Sequence, residues 1–246
     1  MTHKGKTKKI IDPSFSKKIH KGTAASANRI DYHYQKYSNI MEYLGIIKKQ
    51  KKLKDIYIFD GTIFANLINL NLNRLVIKPY ILSHSIFNNA LKKSKKNRFC
   101  PLVLSVDLTD GGEYDSHANI IMVDHKLKTV ELFEPHGTRT DSSELGDITA
   151  AYSKKLRVLK KYFKKILPDY KFINVVDYVK KTAFQVLYDP DEHTGYCVTW
   201  STLYAEYRIL NPDVDAELLA KYLDKKITTE LLLKYSSKVE ETLKGV

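Results

Sequence analysis

A chain of 246 residues, 43% hydrophobic and 11% aromatic, holds enough apolar material for a core of its own, which excludes a chain disordered throughout. No apolar run reaches the ~18 residues of a membrane span, and the lysine-rich start lacks the apolar stretch of a secretory signal. A net charge of +13 calls for an anionic partner or a basic arm, while two cysteines, Cys100 and Cys197, give neither a disulfide framework nor zinc-ligand spacing and favour a reducing, intracellular compartment.

Residues 1–22 carry seven lysines against one acid, Asp12. Residues 1–25 are therefore expected to be a disordered basic tail, and 26–246 a single domain. Such a tail can hold nucleic acid non-specifically by counterion release, or serve solubility or targeting. No aromatic–glycine or helix-turn-helix pattern calls for sequence-specific nucleic-acid recognition. The lysine runs at 48–54 and 92–98 read as solvated helix ends or loops.

Apolar spacing predicts a helix over 29–50, a short strand at Ile56–Phe59, and helix-like spacing over 62–72 after Asp60-Gly61. Leu75–Leu82 leans to β but contains Pro79, which suits an edge strand. A short helix follows at 83–93. Leu102–Leu108 is β-rich, and Asp110-Gly111-Gly112 marks a loop. His117–Asp124 and Thr129–Glu134 then read as a hairpin about a turn at His125–Lys128, closed by Pro135-His136-Gly137. An amphipathic helix spans 144–167, with Ile148, Ala151, Leu156, Leu159, Phe163 and Ile166 inward. Tyr170–Val176 and Thr182–Leu187 are further strands. A mostly apolar helix at 196–210 ends at Asn211-Pro212, which reads as the cap of a helix over 212–225, and 228–243 forms a final helix. Strands and helices interleave around a hairpin, so the class is α+β: a central mixed or antiparallel sheet with a buried helix, flanked by others.

Cys197 stands just after Gly195, at the start of the apolar helix. A helix N-terminus favours thiolate over thiol, and a neighbouring imidazolium would add to that. On the hairpin, period-2 alternation puts His117 and Asn119 on one face, with Glu134 on the matching face of the return strand. A short turn centred near 125–126 pairs residue 117 with residue 134, close enough for a carboxylate to orient an imidazole. Asp124 and Glu131 fail by parity. Acyl transfer also needs fixed donors for the oxyanion. The Cys197 backbone N–H and the Gln185 side chain are candidates, and Asn119 could line the cleft. Cys100, before Pro101 at the entry to an apolar strand, reads as structural, and Trp200, Ser201 and Tyr204 as packing. Singly, each residue has a bland alternative: an ordinary sheet pair, a core thiol, a surface glutamine.

The order His, acid on the return strand, Gln, then Cys on a helix resembles the adenovirus-proteinase and ubiquitin-like-protein (SUMO) protease superfamily of cysteine peptidases. The matching segments are Ser-His-Ala-Asn at His117, Glu-Leu-Phe-Glu-Pro-His-Gly at Glu134, Ala-Phe-Gln at Gln185, and Gly-Tyr-Cys-Val-Thr-Trp-Ser at Cys197, within 100–210. The wording also resembles proteins of large DNA viruses. Ala118 stands where members have tryptophan and Val198 where they have glycine. The resemblance implies a thiol protease or isopeptidase with a Cys197–His117–Glu134 triad and Gln185 at the oxyanion, needing no metal or organic cofactor. Its partner would be a polyprotein or a ubiquitin-like conjugate, with no membrane, in a virion or in host cytoplasm or nucleus. Three alternatives stay open: an acyltransferase on the same triad, a catalytically silent virion protein of this fold, and a basic nucleic-acid-associated protein.

Overall fold

The computed structural model describes residues 9–20, 33–59, 62–68, 74–79, 84–107, 116–135, 146–179 and 196–245, with side chains for 9–20, 39–59, 88–104, 118–135, 156–179 and 196–245. Six strands form one mixed sheet: β1 (Thr62–Ile68), β2 (Arg74–Pro79), β3 (Phe99–Asp107), β4 (Ser116–Asp124), β5 (Thr129–Phe133) and β6 (Lys171–Asn174), in the order β2-β1-β3-β4-β5-β6. The β1/β3 and β5/β6 ladders are parallel and the others antiparallel. The helices are α1 (His33–Gln50), α2 (His84–Ser94), α3 (Gly146–Ile166), α4 (Cys197–Leu210), α5 (Ala216–Lys226) and α6 (Thr229–Lys244). The α+β reading therefore holds.

Both faces of the central strands are covered, which is why β4 reads as an almost continuous apolar run. On one face lies α4, with its Tyr204 ring stacked on Phe133 at 4.4 Å. Strand alternation turns Ile120, Met122, Asp124 and Glu131 the same way. On the other face, Phe163 of α3 meets Phe172, the ladder partner of Val130, and Ser94 of α2 lies beside the Cys100 thiol on β3. Helix α4 is buried around nearly its whole circumference, from Thr199 to Ile209, because α1 and α6 close over it from outside. A helix apolar on every side belongs in the middle of a domain.

Two expectations are corrected here. The segment expected to be helical over 62–72 contains strand β1, since Thr62–Ile68 pairs with both β2 and β3. Tertiary pairing overrides a short helix-like spacing. Second, of the tail expected to be disordered over 1–25, residues 9–20 pack against α4, α5 and α6. Ile11 exchanges backbone bonds with the Asn211 side chain (2.6 and 2.8 Å). Asp12 accepts from the Tyr207 and Tyr222 hydroxyls (2.9 and 2.7 Å), with Lys226 at 4.0 Å. Pro13 and Ser16 are buried, Ser16 bonds Glu241, and Phe15 meets the Tyr235 ring edge-on. The lysines flank a short apolar and polar docking motif, Ile-Asp-Pro-Ser-Phe-Ser. Residues 1–8 and 21–25 lie outside the described residues.

Smaller differences have local causes. Ile56–Phe59 makes a single bridge, Ile56 to Phe99, rather than a strand. Asn211 ends α4 instead of opening α5, because its side chain is taken by Ile11 and Tyr207. The α5 cap is Asp215, which accepts from Leu218 N at 2.7 Å. The strand expected at Thr182–Leu187 lies outside the described residues. Among the described residues, no helix is long and apolar enough to cross a membrane.

Candidate active site

The hairpin sets the frame. Its four-residue turn is held by Asp124, whose Oδ1 accepts from Lys126 N (2.9 Å) and Leu127 N (3.0 Å), with Lys128 at φ 52° closing it. A four-residue turn centres the register one residue later than a two-residue one. Ile120 therefore faces Phe133 and Ile121 faces Leu132. Continued one step, the register sets Asn119 beside Glu134, and residue 117 sits diagonal to 134 rather than directly opposite. A diagonal offset of about 7–8 Å remains within reach of long side chains. Glu134, one residue past β5, is 1% exposed, and Asn119 is fully buried.

Helix α4 sets the second half. It runs in the same direction as β4: Ser201 Oγ donates to the Ala118 carbonyl at 3.3 Å near its start, and Arg208 lies 3.7 Å from Asp124 near its end. Ala118 offers only a methyl group there, so helix and strand approach closely. Cys197 is one helical turn before Ser201 on the same side of the helix. The first turn of α4 therefore stands over the segment where β4 begins, at Ser116 and His117. Because β5 is antiparallel to β4, Glu134 leaves the sheet at this same end. Three of the four sequence candidates thus gather by backbone position at one pole of the sheet. Gln185 lies outside the described residues, as does the side chain of His117.

Cys197 is 2% exposed, and Tyr196 takes the N-cap position before it. The first amides of a helix have no intrahelical acceptor, so the Cys197 N–H is suited to a developing negative charge. Cys100 is a different thiol. It is fully enclosed, and burial pushes its pKa up to about 12, which leaves it unreactive near neutrality.

Two buried charged groups that sequence parity did not assign hold α4 in place. Arg208, with no exposed surface, forks onto Glu131 (Nε 2.7 Å, Nη2 2.9 Å) and donates to the carbonyls of Asn211 and Val214. Glu131 also accepts from the Tyr204 hydroxyl at 3.0 Å and from Thr129 at 3.2 Å. Burial alone would lower the Arg208 pKa, but the Glu131 charge and hydrogen bonds, with Tyr204 and Asp124, together outweigh it and hold the guanidinium above its usual range. On the outer side, Glu206 accepts from the Tyr43 and Tyr235 hydroxyls (2.7 and 2.9 Å), with Lys51 at 3.9 Å. Burial raises its pKa, and the two tyrosine bonds only partly offset that. The signal for both was present: charged residues inside an otherwise apolar helix need buried partners. Among the described residues, no cluster of three or more His, Cys, Asp or Glu is placed to hold a metal ion.

No protein-family model matches the chain. Over 180 residues it is 24% identical to the putative ankyrin repeat protein L371 of Acanthamoeba polyphaga mimivirus, covering 63% of this chain and 22% of that protein. The chain thus spans about a fifth of the length of that curated relative. Among solved structures it is similar to the Chlamydia trachomatis effector protein ChlaDUB1 (TM-score 0.48, 13% identity, 84% of this chain and 82% of that one). It is similar also to the effector Cdu1 of the same organism bound to ubiquitin (TM-score 0.48, 12% identity, 85% and 92%). A third is the ASFV pS273R protease (TM-score 0.43, 18% identity, 82% and 65%).

Proposed function

We propose that the chain is a cysteine hydrolase of the ubiquitin-like-protease kind that cleaves a peptide or isopeptide bond in a protein substrate. The observation that carries this reading is the placement of the Cys197 turn of α4 over the start of β4, tied there by Ser201 on Ala118, with Glu134 leaving β5 at the same pole. In this reading Cys197 Sγ attacks the scissile carbonyl carbon, and its proton passes to His117. Glu134 holds the His117 ring in the required tautomer and stabilises its charged form. The Cys197 N–H and Gln185 receive the oxyanion. As the tetrahedral species collapses, the C–N bond breaks and His117 returns the proton to the leaving amine. Water, deprotonated by His117, then hydrolyses the thioester and frees the thiol. A polyprotein or a ubiquitin-like conjugate fits this chemistry as substrate.

The test is alkylation by iodoacetamide across pH 5–9, read by mass spectrometry on the wild type and on His117→Ala. Rapid labelling of Cys197 at pH 6, falling in His117→Ala, with Cys100 unlabelled, is the expected result. A Cys197 that is inert, or that titrates at about 8.5 like an ordinary thiol, refutes the triad and leaves a silent scaffold of this fold. Cleavage of a ubiquitin-conjugated reporter, lost in Cys197→Ala, then identifies the substrate class.

A further inference from the structure

The far pole of the sheet, where the hairpin turns, has a composition unlike the rest of the surface. Three chain segments converge there on the 125–128 turn. The stretch after α1 holds the neighbouring segment 97–99 through Lys54 O to Asn97 Nδ2 (2.9 Å) and Asp55 O to Phe99 N (2.9 Å), and that segment meets the turn where Arg98 O accepts from His125 N at 2.8 Å. The end of α2 reaches it through Ser94 Oγ, 2.8 Å from His125 Nε2. The junction of α3 and β6 reaches it through Tyr170, whose hydroxyl meets His125 Nδ1 at 2.7 Å, and Lys171, whose N–H bonds Lys128 O at 2.8 Å.

Residues 48–55, 92–96, 125–128 and 160–171 together contribute sixteen lysines and two acids, Asp55 and Asp169. All of these lysines but Lys48 are exposed. Among the described residues, only Lys51 has a carboxylate within ion-pair distance, the buried Glu206. Helices α5 and α6 with their caps are the contrast: residues 215–244 hold six lysines and six acids, and Lys221, Lys234 and Lys244 each pair with an acid one turn away. Lysines in a last helical turn offset the helix dipole, which accounts for Lys92, Lys93, Lys164 and Lys165. It does not account for Lys126, Lys128 and Lys171, which lie outside any helix, nor for Lys95 and Lys96 beyond the end of α2.

We propose that this lysine pole is a docking surface for the phosphate backbone of a nucleic-acid duplex, separate from the thiol chemistry and from the N-terminal arm. Three features choose this partner. Protein interfaces are depleted in lysine at their centres and rich in aromatics and arginine, and this pole is the reverse. An interfacial membrane anchor needs a continuous apolar face, whereas Leu127 is the one large exposed apolar residue here among the described residues. Single strands are held by stacking on aromatic platforms, and Tyr162 and Tyr170 are half-buried, the latter committed to His125. What remains is an array of point charges, which reads phosphate and not bases. The pole lies at the opposite end of β4 from Cys197, so a seated duplex leaves the α4 N-terminus open.

The experiment is fluorescence anisotropy of a 24-base-pair labelled duplex of arbitrary sequence with the full chain, titrated from 50 to 200 mM salt. Neutralising about six phosphates gives a log–log salt slope of about −5, a loss of about a thousandfold in affinity over that range. Replacing Lys95, Lys126, Lys128 and Lys171 by Gln should flatten the slope by about 3.6 and weaken binding at least about thirtyfold at 100 mM salt. The matched replacement of Lys221, Lys225, Lys226 and Lys244 removes the same net charge and should cost less than about threefold. Equal losses in the two variants reduce the effect to net charge and overturn the proposal. So does absence of duplex binding at 100 mM salt, or binding to vesicles containing 30% phosphatidylserine in its place. Thermal melts of both variants confirm that the fold is intact.

Discussion

Arg208→Met removes a cation that serves four groups at once. Glu131 would lose two charge-assisted bonds, at 2.7 and 2.9 Å, keeping those from Tyr204 and Thr129. The Asn211 and Val214 carbonyls would lose their donor, while Asp124 keeps Arg98 at 3.2 Å. Breaking one side of a buried pair costs about 3–5 kcal/mol, mostly as the penalty of a stranded charge. Adding Glu131→Gln removes that charge, and its amide oxygen still accepts from the Tyr204 hydroxyl while its NH2 donates to the Thr129 hydroxyl, so the double variant should recover to within about 2 kcal/mol of wild type. The coupling is then about 2 kcal/mol or more, well outside additivity. Urea unfolding followed by far-UV circular dichroism and by fluorescence of the single tryptophan, Trp200, buried in α4, reports both the domain and this helix. With a slope of ~3 kcal/mol per M, Arg208→Met should shift the midpoint by about 1–1.7 M. A shift below about 0.3 M, or a double variant whose loss equals the sum of the singles, would show that the fork does not hold α4.

Three further outcomes follow from buried polar groups. Deleting residues 1–20 strips Asn211, Tyr207 and Glu241 of their arm contacts and should lower stability by about 2 kcal/mol or more in urea unfolding; an unchanged midpoint means the arm adds nothing. For Glu206, burial raises the folded pKa, so the folded chain holds a proton that the unfolded chain releases. Its contribution is present below the unfolded carboxyl value of about 4.3 and is lost as pH rises through the folded value. Glu206→Gln should therefore gain on wild type from pH 4 to pH 8, and parallel stability curves would count against it. For His125, burial and then Lys95 lower the folded pKa against the pull of Asp124. The unfolded chain binds the proton more tightly, so stability falls as pH drops through about 6.5; His125→Gln should remove that slope between pH 7 and pH 5.

The hairpin was readable in the chain because alternation and turn residues are local: the expected 117–124, 125–128 and 129–134 differ from the observed elements by one residue at the start of β4 and one at the end of β5. The register follows from that four-residue turn, which closes Asp124 on Thr129; centring the turn near 125–126 instead moved the partner of residue 117 by two positions, onto 134. Pro79 marked an edge strand, and β2 lies at the sheet edge. Strand β1 was hidden by an apolar spacing that suits either state until β2 and β3 supply partners. At the candidate site, local rules placed Cys197 at a helix start and His117 on a strand. The bond that seats one element over the other, Ser201 to Ala118, spans 83 residues and leaves no sequence signature. The same holds for the arm, where charge suggested a free tail and Asn211 and the tyrosines of α4 and α5 bind it.

That arm also dictates an order of events during synthesis. Ile11 meets Asn211 across 200 positions, and Ser16 meets Glu241 across 225. At about 5–20 residues per second on the ribosome, Ile11 waits roughly 10–40 seconds before its acceptor emerges. For that interval the Asn211, Tyr207 and Tyr222 positions do not exist, and the lysine-flanked segment is available to any chaperone or polyanion nearby. The last turn of the thiol-bearing helix is therefore finished by the part of the chain that left the ribosome long before it.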